Sequence, residues 1–325
     1  MAWRLYLPRE WAEDAERRTK AGVPAELAFQ TKPTMALQQI EAALAAGIPR
    51  GVVLADAGYG ADMKFQARLA ELGLEFIVGV QPRAKIWING KQPLPPKAWS
   101  GQGRPPSNLR RDADHQPIEA RTWAMQLPSE AWQDIIWREG TKGELVSRFT
   151  YARIRPAHRD YWRNEPWPEL AVLAEWPDGE AEPTKIWFAN IHTDTPLEHL
   201  VHLAKLRWRI ERDYLELKQE LGLSHYEGRG WRGFHHHASL CIAAYGYLIK
   251  ERLVLSPSGK SRLGPKNVAP PKTYIPRGSP RKTREAYPKL HRHHARPHRH
   301  PLGSDLAAMS MLHAASRRPY QFMTQ

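Results

Sequence analysis

Residues 51–60 read GVVLADAGYG, a short apolar run followed by an acid and a glycine-containing turn. The apolar residues Val52–Ala55 predict a buried strand that ends at Asp56. Asp62 is placed to cap the helix that follows, and Leu74–Val80 predicts a second strand. Two apolar strands joined by a helix are expected to be parallel and buried, so the sequence predicts an α/β fold.

The segments on both sides of this unit differ in character. Trp3–Leu7 predicts the end of a strand, while Glu10–Lys20 and Ala36–Ala46 predict helices. Residues 82–190 are punctuated by Pro and Gly and predict an inserted, mostly antiparallel β region. Its candidate strands are Ala120–Leu127, Leu145–Ile154, Leu170–Trp176 and Lys185–Ile191.

The C-terminal half of the chain predicts helices and then a basic tail. One helix is expected over residues 196–221, with Thr195 as its cap and Pro196 at its first position, and another from about Gly233 to Leu253. Residues 255–325 are rich in Pro, Arg and His, which predicts disorder.

The overall charge favours a polyanionic partner. The chain has 325 residues, with 48 Lys and Arg against 34 Asp and Glu, a formal charge of +14 and a pI near 9.9. Nucleic acid is the commonest partner of such a chain, although charge alone leaves a ribosome-associated or membrane-surface protein open. The single Cys241 excludes an internal disulfide, and no segment is long and apolar enough to span a bilayer. We therefore expect a cytosolic protein without a membrane partner.

Asp56 is the first candidate functional residue. Catalytic and ligand-binding groups of α/β sheets concentrate at the carboxyl ends of parallel strands, where Asp56 is expected. The alternative is an Asp that merely caps the turn before Gly58, and this residue alone does not separate the two interpretations.

A polar stripe on the predicted 196–221 helix is the second candidate. Arg207, Glu211, Tyr214 and Lys218 are spaced i, i+4, i+7 and i+11, so they share one face of the helix. The apolar stripe beside them places Glu211 at the border of the buried face; it consists of Leu203, Ile210, Leu217 and Leu221. A carboxylate between two cations suits a site that handles phosphates and metal. The alternative is a helix ion pair of Arg207 with Glu211 that contributes a few tenths of a kcal/mol.

The spacing of Arg207, Glu211 and Lys218 also matches the R-E-K part of the Y-R-E-K signature of DDE insertion-sequence transposases. The surrounding segments resemble the DDE superfamily endonucleases over roughly residues 3–254: residues 54–60 read LADAGYG, 204–218 read AKLRWRIERDYLELK, 221–223 read LGL and 233–237 read GFHHH. One departure is that Ala204 stands where the signature has its tyrosine, which puts the role of that tyrosine in doubt.

The resemblance implies an RNase H-like active site with three carboxylates, of which Asp56 is the second and Glu211 the third. These two residues would be catalytic and would bind metal, with two Mg²⁺ or Mn²⁺ ions in a complete site. The residues implied to bind DNA are Arg207, Lys218, Arg209 and Arg212, and those implied to support the site are Tyr214, Gly58 and Tyr59.

The implied function is DNA transposition in the bacterial cytoplasm, at the nucleoid. The partners would be insertion-sequence ends and target DNA, with self-association in a transposition complex. The implied organisation is an RNase H-like core over residues 1–83, a β-rich insertion over 84–195, a helical return of the core over 196–254 and the basic tail over 255–325.

The first carboxylate of such a site is expected upstream of the other two. Asp14 is the only other Asp there, and it lies in a charged segment typical of a solvated helix. We therefore expect an N-terminally truncated, incomplete RNase H-like fold that is inactive alone, in which the strand ending at Asp56 has an exposed edge.

Two functional hypotheses follow, with a third from a different class. The first is a transposase that needs a separately encoded part, and the second is a non-catalytic remnant that binds DNA or intact transposase and interferes with it. The third, an unrelated basic RNA-binding protein, requires the Asp56 and Glu211 patterns to be accidental.

Overall fold

A computed structural model describes residues 3–140, 143–254 and 314–316 of the chain, and it confirms the α/β class. The helices are α1 (Arg9–Ala12), α2 (Ala15–Ala21), α3 (Lys32–Ala45), α4 (Ala57–Gly60), α5 (Met63–Glu71), α6 (Ala120–Met125), α7 (Leu197–Lys205), α8 (Trp208–Gln219) and α9 (Trp231–Val254). The strands are β1 (Gly51–Ala55), β2 (Phe76–Val80), β3 (Lys85–Trp87), β4 (Ile118–Glu119), β5 (Gln133–Gly140), β6 (Gly143–Pro156), β7 (Leu170–Trp176), β8 (Lys185–Ala189) and β9 (Ala314–Ser316).

The predicted parallel unit is confirmed. Strands β1 and β2 pair in parallel with Val53 opposite Phe76, and both strands are almost wholly buried. The Asp62 side chain caps α5 by accepting hydrogen bonds from the backbone N–H groups of Lys64 and Phe65, at 2.9 and 3.1 Å. The helix ends before Gly73, which has a positive φ of 67°.

The remaining strands extend the sheet as an antiparallel region, as the sequence predicted. The order is β4-β3-β6-β7-β8-β2-β1-β9, with β5 paired to β6. Only β1 and β2 are parallel neighbours among these pairs. Strand β6 is long. It pairs with β5 along its first half and with β3 at its C-terminal end, so it connects β5 and β3 within one antiparallel region.

Helices cover both faces of the sheet because alternate residues of β1 point to opposite faces. Val53 and Ala55 pack in one apolar cluster with residues of α3, α5 and α6. Val52 and Leu54 pack in a second cluster with α7. A third cluster joins α8, α9 and the N-terminal residues Trp3 and Leu5. Coverage of both faces explains why β1 is apolar along its whole length.

The structure corrects several local predictions at the N-terminal end. Trp3–Leu7 is not a strand; the Trp3 ring lies 5.0 Å from the His235 ring of α9, so its apolar residues serve helix packing. The predicted helix Glu10–Lys20 is two helices, because the Asp14 side chain accepts a hydrogen bond from the Arg17 backbone N–H at 2.9 Å and starts α2.

Three further predictions, of an element's type, extent and cap, are wrong. Ala120–Leu127 forms helix α6 rather than a strand, since Ala120, Trp123 and Ala124 at helical spacing bury one face. The predicted 196–221 helix breaks at Leu206 and Arg207 into α7 and α8. The carbonyl oxygens of these two residues accept hydrogen bonds from the N–H groups of Arg209 and Ile210, three residues ahead. The cap of α7 is Pro196, without a side-chain hydrogen bond, rather than Thr195.

The prediction that β1 has an exposed edge is also wrong. Strand β9 pairs antiparallel with β1, with Val52 opposite Ala315. Residues 314–316 of the predicted disordered tail are therefore a strand, while residues 255–313 and 317–325 lie outside the described residues. The pairing satisfies backbone groups that an uncovered edge would leave open.

Candidate functional site

Asp56 lies immediately after β1 with an exposed side chain. Its Oδ1 accepts a hydrogen bond from the Gly58 backbone N–H at 2.9 Å, and the residue caps the short helix α4. The contact expected of a turn-capping Asp is therefore present. Capping uses one lone pair of a carboxylate whose side chain remains open to solvent, so it is compatible with a further role.

Glycine packing fixes the backbone around Asp56. A Cβ on Gly60 would lie 1.8 Å from the Gly79 carbonyl oxygen, so α4 and β2 approach more closely than any side chain allows. Two of the predicted supporting residues make different contacts here. The Gly58 N–H donates to Asp56, and the centre of the Tyr59 ring lies 5.7 Å from that of the Phe65 ring. The carboxylate is thus held by the core rather than by a free loop.

Glu211 lies in the first turn of α8 and is more exposed than the sequence predicted. Its Oε1 accepts a hydrogen bond from Arg207 Nη2 at 2.5 Å, and 65% of its side chain is accessible. The prediction that Glu211 borders a buried face is wrong, because the break before α8 interrupts the apolar stripe. Of that stripe only Leu217 is fully buried. An ion pair this exposed contributes at most about 1 kcal/mol to stability.

The other predicted DNA-binding cations lie on α8 on both sides of Glu211. Arg209 is exposed. Arg212 Nε pairs with Glu216 at 3.2 Å, and Lys218 Nζ lies 5.7 Å from the centre of the Tyr214 ring. Helix α8 therefore carries accessible positive charge at Arg209, two residues before Glu211.

The described residues do not by themselves form a metal site. Within residues 3–140 and 143–254, no three His, Cys, Asp or Glu side chains converge in a group suited to a metal ion. No hydrogen bond or ion pair in this part of the chain joins Asp56 to Glu211. Within the described residues the two carboxylates thus lack the third oxygen donor group that two divalent ions require.

The sequence did not predict two groups of buried polar residues. Lys205 and Glu175 form a buried ion pair, with Lys205 Nζ 4.0 Å from the centre of the Trp137 ring. Burial lowers the pKa of Lys205, although the hydrogen bond that Lys205 donates to Glu175 opposes that shift. The paired residues are 30 positions apart in sequence, so no local pattern signals them.

A second missed group is the fully buried Asp160. Its carboxylate accepts hydrogen bonds from Trp87 Nε1 at 2.7 Å and from Arg111 Nη2. These partners lie 73 and 49 positions away in sequence. Asp160 ties the end of β6 to β3 and to the segment before β4.

Comparison with known proteins finds one similar family. Residues 1–144 match the model of the family described as DDE superfamily endonuclease. Over these residues the chain is similar to the DDE superfamily endonucleases. The match confirms the resemblance predicted around Asp56, and it ends before Glu211, whose assignment rests on the R-E-K spacing. No curated protein compared with the chain matches it.

The family supports a nuclease function of the transposase type, with DNA as substrate, and its members generally use divalent metal ions. Among the helices of the described residues, none has the length and apolar character needed to cross a membrane.

Proposed function

We propose that this DDE endonuclease chain takes part in DNA transposition, through metal-dependent cleavage and transfer of strands at insertion-sequence ends. The observation that carries the proposal is Asp56: an exposed carboxylate, fixed by the core at the carboxyl end of a parallel strand, inside the segment that matches the family.

In this proposal Asp56 and Glu211 are two of three metal-binding carboxylates, for Mg²⁺ or Mn²⁺. Hard oxygen ligands suit these ions, which would activate the attacking oxygen and stabilise the leaving one. Arg207 would turn from Glu211 to a DNA phosphate, with Lys218 beside it, and Arg209 and Arg212 would contact the backbone further along. The exposure of Glu211 supports this exchange, because an exposed ion pair is weak.

A third carboxylate is needed, and we propose that this chain alone does not supply it. The second candidate function follows: a non-catalytic protein that binds DNA or intact transposase and interferes with it. It is favoured by the arrangement of the described residues. Asp56 bonds to the Gly58 N–H, Glu211 bonds to Arg207, and no third carboxylate lies with them in a group suited to a metal ion.

A nicking assay separates the two functions. The full chain is incubated with labelled insertion-sequence ends and with Mg²⁺ or Mn²⁺. If the chain cleaves, Asp56→Asn and Glu211→Gln should each reduce the rate on the order of a thousandfold or more. Glu13→Gln is the matched control, since Glu13 is an exposed carboxylate that pairs with Arg9 at 3.6 Å and with no other cation among the described residues. Cleavage unaffected by the two site variants would reject their catalytic roles.

Absence of nicking with either metal would leave the binding function, which a salt titration tests. Binding through phosphates predicts a linear fall of log affinity with log salt, of slope about −0.9 for each phosphate contacted. A flat salt dependence, or no binding at low salt, would reject DNA as the partner.

A further inference from the structure

The segment between β3 and β4 carries an exposed basic loop on a fixed base. Leu94 and Arg110 exchange two backbone hydrogen bonds of 2.9 Å, which close the loop. Next to this closure, buried Leu109 donates its backbone N–H to the Arg163 carbonyl oxygen at 2.8 Å. Every residue from Lys97 to Asn108 is exposed. We call residues 97–110 the basic loop.

The base of the basic loop is tied to the buried acid Asp160. Arg111, the next residue after the loop, bonds to Asp160 and donates to the Ala157 carbonyl oxygen at 2.6 Å. Within the loop, Trp99 Nε1 donates to the carbonyl oxygens of Gln102 and Gly103 at 3.3 and 3.2 Å. The loop therefore has a defined shape, which lowers the entropic cost of binding a ligand.

The basic loop lines an open pocket of about 520 Å³, whose lining includes cationic side chains and no carboxylate. Its lining is Lys97, Arg104, Arg110, Ser107 and Asn108, with Pro105 and Pro106. Lys97 and Arg104 have no ion-pair partner within residues 3–140 and 143–254, and Arg110 approaches Asp112 only at 3.8 Å. Arg110 Nε is buried and has no hydrogen-bond partner in the described part of the chain. Lys97 and Arg104 therefore give the pocket positive charge that no ion pair in the described part of the chain balances, beside hydroxyl and amide donors.

The segment of the chain that contains the basic loop is rich in cations. Residues 76–111 contain no Asp or Glu, and their cations are Arg83, Lys85, Lys91, Lys97, Arg104, Arg110 and Arg111. Three of them pair with acids outside this segment: Lys85 with Glu119, Arg110 with Asp112 and Arg111 with Asp160. The other four have no ion pair within residues 3–140 and 143–254. A local excess of this kind attracts a polyanion.

We propose that the basic loop binds the phosphate backbone of DNA, separately from the cations of α8. Open access suits a backbone better than an enclosed small molecule, and Lys97 and Arg104 lie within one pocket, where they would contact neighbouring phosphates. This inference deepens the proposed function, since it takes DNA as the partner, but it requires neither catalysis nor metal.

The test compares DNA affinity of the full chain with that of Lys97→Ala/Arg104→Ala. The affinity for duplex DNA should fall about tenfold at ~0.15 M salt, and the salt slope should be shallower by about 2. Lys20→Ala/Arg50→Ala is the matched control, because both residues are exposed, neither has an ion pair in the described ranges, and the charge lost is the same. Equal losses in the two double variants would overturn the basic loop as a site.

Two further comparisons identify the ligand of the basic loop and show which of the two proposals a negative result rejects. Polyglutamate of matched charge that competes as well as DNA would overturn nucleic acid as the ligand of the loop. If the unchanged chain does not bind DNA, the proposed DNA function fails and the loop inference fails with it. If it binds and the loop variant binds equally well, only the loop inference fails. Thermal melts of each variant check that the fold is kept.

Discussion

Asp56 combines a structural and a proposed chemical role in one carboxylate. Its Oδ1 holds the Gly58 N–H, and the remainder of the group faces solvent at the end of β1. Substitution by Asn keeps an acceptor oxygen but removes the charge, whereas substitution by Ala removes both. The two variants therefore separate capping from metal binding.

We expect Asp56→Asn to unfold at nearly the same denaturant concentration as the unchanged chain. Asp56→Ala should lose about 0.5–2 kcal/mol of unfolding free energy, because the cap of α4 is lost. Urea titrations measure both. Equal destabilisation by the two variants would show that the charge, and not the hydrogen bond, stabilises this turn.

Gly60 is the residue on which the position of Asp56 depends most directly. Gly60→Ala would place a Cβ 1.8 Å from the Gly79 carbonyl oxygen, so β2 and α4 must separate. We expect a loss of about 1–3 kcal/mol of unfolding free energy. Gly230→Ala is the control, since its nearest neighbour would be 4.0 Å away, and its effect should stay within about 0.5 kcal/mol. A neutral Gly60→Ala would contradict the close approach.

At the scale of elements, the buried Lys205–Glu175 pair joins the end of α7 to β7 beneath the Trp137 ring. Removing one partner leaves the other charge buried and unpaired. Lys205→Met should therefore cost about 3–5 kcal/mol, and adding Glu175→Leu should restore most of it. Calorimetric melts of the single and double variants test this. A double variant as unstable as the single one would contradict the coupling.

Helices α8 and α9 are coupled by a tyrosine. The buried Tyr245 hydroxyl of α9 donates to Asp213 of α8 at 2.8 Å. Burial raises the pKa of Tyr245 above its ordinary value, and the hydrogen bond to Asp213 adds to the shift. The folded chain therefore keeps a proton that the unfolded chain loses above about pH 10.

This contribution is complete below pH 10 and falls as the pH rises further. We expect Tyr245→Phe to remove it, so that the stability difference between the unchanged chain and the variant shrinks between pH 8 and pH 11. Urea titrations at both pH values measure the difference. A constant difference would show that the Tyr245 proton is not linked to folding.

At the scale of the whole molecule, β9 covers the outer edge of β1 across a long separation in sequence. Deletion of residues 314–325 would leave the edge of β1 unpaired. Amide exchange in a peptide covering residues 51–55 should then accelerate, while exchange in β7 stays unchanged because β7 keeps both neighbours. Unchanged exchange in 51–55 would reject the pairing in solution.

Local sequence patterns determined the β1–α–β2 unit, the cap at Asp62 and strands β6 to β8, because apolar period and turn chemistry act within a few residues. The same patterns failed at α6, where the spacing of Ala120, Trp123 and Ala124 is compatible with a helix or a strand. They also failed at the 206–207 break, which side-chain spacing does not reveal.

The sequence alone therefore carried the resemblance to the DDE superfamily endonucleases, through Asp56 and its turn, and named Glu211 and its flanking cations. Only the tertiary structure decided the exposure of Glu211, the pairing of β1 with β9, and the buried Lys205–Glu175 and Asp160 contacts. The physical reason is separation along the chain. Capping and apolar alternation are energies between near neighbours, whereas these contacts form only after distant segments have packed and excluded water.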